Sequence, residues 1–119
     1  MFPPEISFGE LKKLLACSEN FVLDVRGAEE FDGDGSIPGS VNIPLGALDA
    51  LIGDPVDFER AIGRPIGPSG RNVILSCRSG RRALLALDKL KAVGYNDMKI
   101  YKGSFMDWQA NGGEVFKAK

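Results

Sequence analysis

The sequence predicts an α/β fold, a mostly parallel sheet covered by helices on both faces. Strand-like apolar runs alternate with helical patterns along the chain, the arrangement that builds parallel sheets. The run Phe21-Val22-Leu23-Asp24-Val25 is apolar except for one carboxylate, and Asn72-Val73-Ile74-Leu75-Ser76 is apolar through its centre. Strands buried on both faces have this pattern, whereas half-exposed strands alternate. At 119 residues the chain has the size of one domain, so residues 1–119 are expected to form a single unit.

The elements follow in order. Ile6 is expected to form a very short edge strand. Ser7-Phe8-Gly9-Glu10 has the spacing of a capping box, which predicts a helix from here to about Cys17 with Leu11, Leu14 and Leu15 on one face. After the 21–25 strand, Ala28-Glu29-Glu30-Phe31 predicts a helical turn, Asp32–Ser36 a loop and Ile37-Pro38-Gly39-Ser40 a tight turn. Val41-Asn42-Ile43 is a short strand stopped by Pro44, which has no N–H to give to a ladder. Leu45, Leu48, Leu51 and Ile52 recur at helical spacing, predicting a helix over 45–52, and a second is predicted over 56–62. Residues 63–70 are dense in glycine and proline and read as a loop. It enters the N-terminal end of the next strand, on the edge of the sheet opposite Cys77, so it is not expected to act as a lid. The helix that follows Cys77 should end at Gly94, a residue suited to terminating helices. Met98–Tyr101 is the last strand, and Phe105–Ala110 a final helix carrying Trp108, expected in the core.

The composition excludes several function classes. The net charge is −1, so no overall field favours nucleic acid or an anionic membrane. No apolar run is long enough to span a bilayer. Met1-Phe2-Pro3-Pro4-Glu5 is neither a signal peptide nor an arginine-rich presequence. The two cysteines, Cys17 and Cys77, are too few for a disulfide framework, which makes a reducing compartment the expectation. That is the cytoplasm, or the mitochondrion if a targeting segment has been removed. Cys17, near the end of the first helix, is expected to pack. The chain contains no histidine, which excludes a Ser–His or Cys–His relay and any histidine-ligated metal site. No metal or other cofactor is expected, and the chain is expected to be a monomer.

The residues Cys77-Arg78-Ser79-Gly80-Arg81-Arg82 carry the chemistry. They lie between a buried strand and a helix, so the cysteine is at the strand's C-terminal tip, in a tight turn that opens the helix. Backbone N–H groups at such a turn are unpaired, and the helix dipole adds partial positive charge. Three arginines stand within five residues of the sulfur, in a chain otherwise near neutral. All three features stabilise an anion at sulfur, and the same cradle suits a small oxyanion. Cys77 is the candidate nucleophile. The N–H groups of Ser79 and Gly80 are candidate anion donors, with Arg78 and Arg81 at the rim. Arg82 is a candidate substrate ligand or a brace for the loop. The plain alternative is a buried strand-end cysteine beside surface arginines. Arg26, Cys77 and Gly103 each follow a strand end, where ligands bind in open parallel sheets, so all three are expected to face one crevice. Asp24 and Arg26 are expected to be structural, and Lys102 to be solvated.

The chain resembles the rhodanese-like family of single-domain sulfurtransferases over nearly its whole length. Four segments carry the resemblance: Asp24-Val25-Arg26 with Glu29-Glu30-Phe31; Ile37 to Pro44; the Cys77–Arg82 loop; and Gly94-Tyr95 with Gly103 to Trp108. The resemblance implies a three-layer α/β/α domain with a five-stranded, mostly parallel sheet in the order 3-2-4-5-1. The helix over 56–62 is similar to an insertion in small thiosulfate:glutathione sulfurtransferases. Ser36 stands where the family often has histidine, and Ser104 where glycine is common; neither is expected to touch the nucleophile. Phosphatases of related fold use a loop one residue longer. The implied activity is transfer of sulfane sulfur from thiosulfate or a persulfide, through a Cys77 persulfide, to cyanide or a thiol such as glutathione or thioredoxin. The partners so implied are a small anionic donor and a thiol acceptor, with no nucleic acid and no membrane. The alternatives are a phosphatase or arsenate reductase, a non-catalytic binding module, and a persulfide carrier serving a particular partner.

Overall fold

A computed structural model describes residues 5–117. Its elements are α1 (Phe8–Leu15), β1 (Phe21–Asp24), α2 (Ala28–Asp34), β2 (Val41–Asn42), α3 (Leu45–Leu51), α4 (Pro55–Ile62), a single 3-10 turn (Pro68–Gly70), β3 (Val73–Ser76), α5 (Arg81–Ala92), β4 (Lys99–Ile100) and α6 (Ser104–Ala110). The strands form one parallel sheet in the order β2-β1-β3-β4. β1 and β3 lie at its centre and pair over their full length, from Phe21 opposite Val73 to Asp24 opposite Ser76. Every residue of both is buried, which accounts for their continuous apolar runs.

Side chains alternate between the two faces of the sheet. Phe21, Leu23, Val73 and Leu75 pack with Leu48, Phe58, Leu87 and Leu90 from α3, α4 and α5. Val22 and Ile74 pack on the other face with Leu11, Phe105 and Trp108 from α1 and α6. Chain order reverses between β1 and β3: β1 leads to β2 on one side, and β3 leads to β4 on the other. That reversal opens a crevice at the C-terminal ends of the two central strands, beyond Asp24 and Ser76.

Two capping signals act as their sequences predict. Ser7 Oγ accepts the Glu10 N–H at 3.2 Å, and Glu10 returns the bond to the Ser7 N–H at 2.9 Å. Gly94 takes φ 103°, and the Tyr95 N–H reaches back to the Leu90 carbonyl at 3.0 Å. The 63–70 loop is pinned at the far end of the sheet, where Arg64 donates to the carbonyls of Gly39 and Ser18.

The sheet differs from expectation. Among the described residues it has four strands rather than five, in the order β2-β1-β3-β4 rather than 3-2-4-5-1. Among the described residues the expected first strand is a single bridge of Glu5 to Ile100, and the capping box at Ser7 ends it on the C-terminal side by starting α1. α2 continues through Asp34, beyond the expected turn, and ends at Gly35 with φ 91°. Residues near the C-terminus return to this point: Ser36 and Phe116 exchange backbone hydrogen bonds of 2.8 and 2.9 Å. α1 stops at Leu15, so Cys17 lies beyond it and is exposed rather than packed. Among the described residues, no helix is long and apolar enough to cross a membrane.

Core position sets the cost of truncation. Leu90 is fully buried under the sheet, whereas Leu84 on the same helix is 40% exposed. Leu90→Ala is expected to cost about 2–5 kcal/mol, and Leu84→Ala no more than about 0.5 kcal/mol. Urea midpoints at an unchanged m-value check the difference.

Candidate active site

β3 delivers Cys77 to the head of the crevice with only 1% of the residue exposed. The chain then turns within three residues and enters α5. Gly80 makes the turn possible. Its φ of 103° disfavours any side chain, and a Cβ there would overlap the carbonyl of Lys102. The turn folds back on the sulfur, so Cys77 Sγ accepts the Gly80 N–H at 3.0 Å and the Ala83 N–H at 3.4 Å. These groups belong to the first turn of a twelve-residue helix, where backbone donors have no internal partner and the dipole is positive. The sulfur is their acceptor.

The segment after β4 forms the second wall. The Phe105 N–H donates to the Cys77 carbonyl at 2.9 Å, and the Met106 N–H to the Arg78 carbonyl at 3.0 Å. Ser104 is fully buried and holds a left-handed φ of 58°. Its Oγ accepts the Cys77 N–H at 3.1 Å, lies 3.9 Å from Sγ and donates to the Tyr101 carbonyl at 2.9 Å. The expectation that Ser104 stands clear of the nucleophile is therefore corrected. A signal was present: Ser104 follows a strand that neighbours β3, so its loop had to meet the Cys77 loop.

The arginines separate into distinct roles. Arg82 is bound by Glu30 at 2.6 and 2.9 Å through both carboxylate oxygens. Glu30 also accepts the Gly27 N–H at 3.1 Å, so one carboxylate caps α2 and ties it to α5. The bond from Arg82, more than any other influence, lowers the pKa of Glu30 to about 2, against an opposing effect of burial. Arg78 and Arg81 are exposed, as is Ser79, and neither arginine has an ion-pair partner among the described residues.

Arg26 does not face the crevice. It is fully buried, donates to Asp24 at 2.8 Å and to the Gly35 carbonyl at 2.7 Å, and lies 4.3 Å over the ring of Phe105. The Asp24 carboxylate is occupied by this pair. Lys102 is exposed and lies 3.5 Å from Glu5. Trp108 is in the core, and its ring N–H bonds the Glu114 carbonyl at 2.7 Å. No cluster of metal-ligating side chains occurs among the described residues.

A parallel α/β sheet with a buried cysteine at its switch point, its sulfur accepting two N–H groups of a helix start, defines a class of α/β domains built around a helix-capping thiol. The particular family is established by comparison. The model of the rhodanese-like domain matches residues 7–111, and the chain belongs to that family. It is 43% identical over 89 residues to a Drosophila melanogaster rhodanese domain-containing protein, covering 74% of this chain and 80% of that one. It is 36% identical over 111 residues to the thiosulfate:glutathione sulfurtransferase of Saccharomyces cerevisiae, covering 91% and 79%. Among solved structures, a human single-domain sulfurtransferase superposes with a TM-score of 0.77 at 29% identity, covering 92% and 97%.

The Glu30–Arg82 pair carries a pH signature. The folded pKa of Glu30 is depressed from about 4.5 to about 2. Its contribution to stability is therefore complete above pH 4.5 and is lost as pH falls through about 2. Glu30→Gln is expected to lower Tm at pH 7, with the difference from the parent shrinking across that acid window. Thermal unfolding followed by circular dichroism from pH 7 to pH 2 checks this.

Proposed function

We propose that the chain is a sulfurtransferase that takes sulfane sulfur from thiosulfate or a persulfide, carries it on Cys77, and delivers it to a thiol or to cyanide. The observation that carries this reading is the pair of N–H donors at 3.0 and 3.4 Å from Cys77 Sγ, in a chain without histidine. In this reading the fixed backbone dipoles of the helix start face the attacking sulfur.

In the first half-reaction, the Cys77 thiolate attacks the outer sulfur of thiosulfate. A bond forms between Sγ and that sulfur, the sulfur–sulfur bond of thiosulfate breaks, and its electron pair leaves on sulfite. No proton moves, so the step needs no general base. The persulfide anion takes up the negative charge within reach of the loop N–H groups. Preorganised donors of this kind stabilise charge without reorganising during the reaction. In the second half-reaction an acceptor thiolate or cyanide removes the outer sulfur and restores the Cys77 thiolate, which is covalent catalysis in two steps.

In this reading Ser79 and Gly80 supply N–H groups to the bound anion, and the unpaired Arg78 and Arg81 attract the donor at the rim. Arg82 braces the loop through Glu30 and adds positive charge beside the sulfur. The six-residue loop favours a small transferable sulfur over a phosphate monoester, which phosphatases of related fold hold in a longer loop. The yeast relative's name, thiosulfate:glutathione sulfurtransferase, supports the same donor and acceptor here. Residues 1–119 act as one catalytic domain in this reading. A nucleophile that must stay reduced suits a reducing compartment such as the cytoplasm.

Thiosulfate turnover with cyanide as acceptor tests the assignment. Cys77→Ser is expected to fall to the uncatalysed level, because a serine cannot form the persulfide, while the exposed Cys17 tolerates Cys17→Ser with near-parent activity. Equal loss in both variants would replace the one-cysteine mechanism with a two-cysteine relay.

A further inference from the structure

Lys102 stands beside the Cys77 loop, in the turn between β4 and α6 that the Ser104 N–H closes onto the Tyr101 carbonyl at 3.0 Å. Tyr101 is fixed in turn by its N–H bond to the Leu75 carbonyl at 2.9 Å, so the turn is tied to the strand that delivers Cys77. Its contact with the loop is close. A Cβ on Gly80 would overlap the Lys102 carbonyl and come within 3.3 Å of Lys102 Cγ. Gly80 is the residue whose N–H bonds Cys77 Sγ. The stem of Lys102 therefore lies against a donor of the sulfur, and its ammonium, three bonds beyond Cγ, can reach an anion seated on the loop.

The ammonium has a resting partner. Glu5 is brought there by its bridge to Ile100 and by the Ile6 N–H bond to the Ile100 carbonyl at 2.9 Å. Lys102 Nζ lies 3.5 Å from Glu5 Oε1, with the two side chains 64% and 46% exposed. An ion pair so long and so exposed is worth little and opens readily. The carboxylate of Asp107, which borders Gly103, is bonded by the Tyr101 hydroxyl. Lys102 thus differs from Arg78 and Arg81, which have no ion-pair partner among the described residues. Its charge is shared with Glu5 until a more highly charged anion competes for it.

We propose that Lys102 is a specificity-determining residue for the sulfur donor. Its ammonium exchanges Glu5 for the sulfonate oxygens of a donor seated on the loop, which favours a dianion such as thiosulfate over a neutral persulfide. Glu5 opposes that selection by competing for the same ammonium. The proposal rests on the sulfurtransferase reading and adds to it a charge pair that lies outside the Cys77–Arg82 loop.

The test is made in a Cys17→Ser background, so that Cys77 is the only cysteine of the chain. In a two-step mechanism kcat/KM for thiosulfate reports the first half-reaction alone. Lys102→Gln is expected to lower it about two- to fivefold, the size of a partly exposed charge interaction. Glu5→Gln is expected to raise it, and that gain should disappear in the double variant, because it acts through Lys102. Lys102→Arg keeps the charge and should stay near the parent. Alkylation of Cys77 by iodoacetate relative to iodoacetamide reads the same charge without sulfur transfer. That ratio should fall in Lys102→Gln by a similar factor and rise in Glu5→Gln, whereas a merely structural role would slow both reagents alike. An unchanged ratio in Lys102→Gln, or a loss in Lys102→Arg as large as in Lys102→Gln, would overturn the proposal. Sulfite release by the parent is measured alongside. Release with unchanged ratios overturns only the role of Lys102, whereas no release overturns the sulfurtransferase reading and the donor selection with it.

Discussion

The backbone N–H groups at the start of α5 need an acceptor, and the position of Cys77 supplies one. A helix that begins immediately after a buried strand has donors pointing into the protein, and leaving them unmet costs about 1–3 kcal/mol for each group. Here the Gly80 and Ala83 N–H groups converge on one sulfur. That convergence requires a turn only glycine makes easily, with the Lys102 carbonyl pressed against Gly80. It also requires β4 to lie beside β3, which the sheet order provides. The feature that stabilises the turn is the feature that would hold a thiolate or a persulfide. In the proposed mechanism, folding and chemistry draw on the same hydrogen bonds.

Around this centre the charged residues are sorted by burial. The Asp24–Arg26 pair is inside the protein and holds together the end of β1, the end of α2 and the ring of Phe105. A buried pair of this kind gains little net stability, yet removing one partner strands a charge and costs about 3–5 kcal/mol. One guanidinium nitrogen of Arg26, Nη1, has no hydrogen-bond partner among the described residues; the stacking of the guanidinium over the Phe105 ring offsets part of that cost. Arg82 and Glu30 are partly exposed and link two helices at the edge of the loop. Arg78 and Arg81 are exposed and have no ion-pair partner among the described residues.

What could be read from the sequence divides along the range of the interactions. The strands 21–25 and 72–76, the Ser7 capping box and the Cys77–Arg82 loop were legible because each depends on neighbours in the chain. The loop was the clearest, since strand, cysteine, glycine and helix occupy consecutive positions. Ser104 and Glu30 were missed as contacts of the loop because their roles depend on which strand ends lie side by side. Ser104 stands 27 residues from Cys77 in the chain yet accepts its N–H, and Glu30 stands 52 residues from Arg82. Arg26 was expected in the crevice because it follows a strand end, but pairing with Asp24 turned it inward. Among the described residues the expected edge strand is one bridge at Glu5, which the helix capped at Ser7 bounds on its C-terminal side.

The central claim is that Cys77 carries the transferred sulfur within this cradle. Mass spectrometry of the protein after incubation with thiosulfate alone tests it most directly. The predicted result is a species one sulfur atom heavier, with the added mass on the peptide containing Cys77 and removed by cyanide. An unmodified protein after thiosulfate, together with hydrolysis of aryl phosphates, would contradict the account.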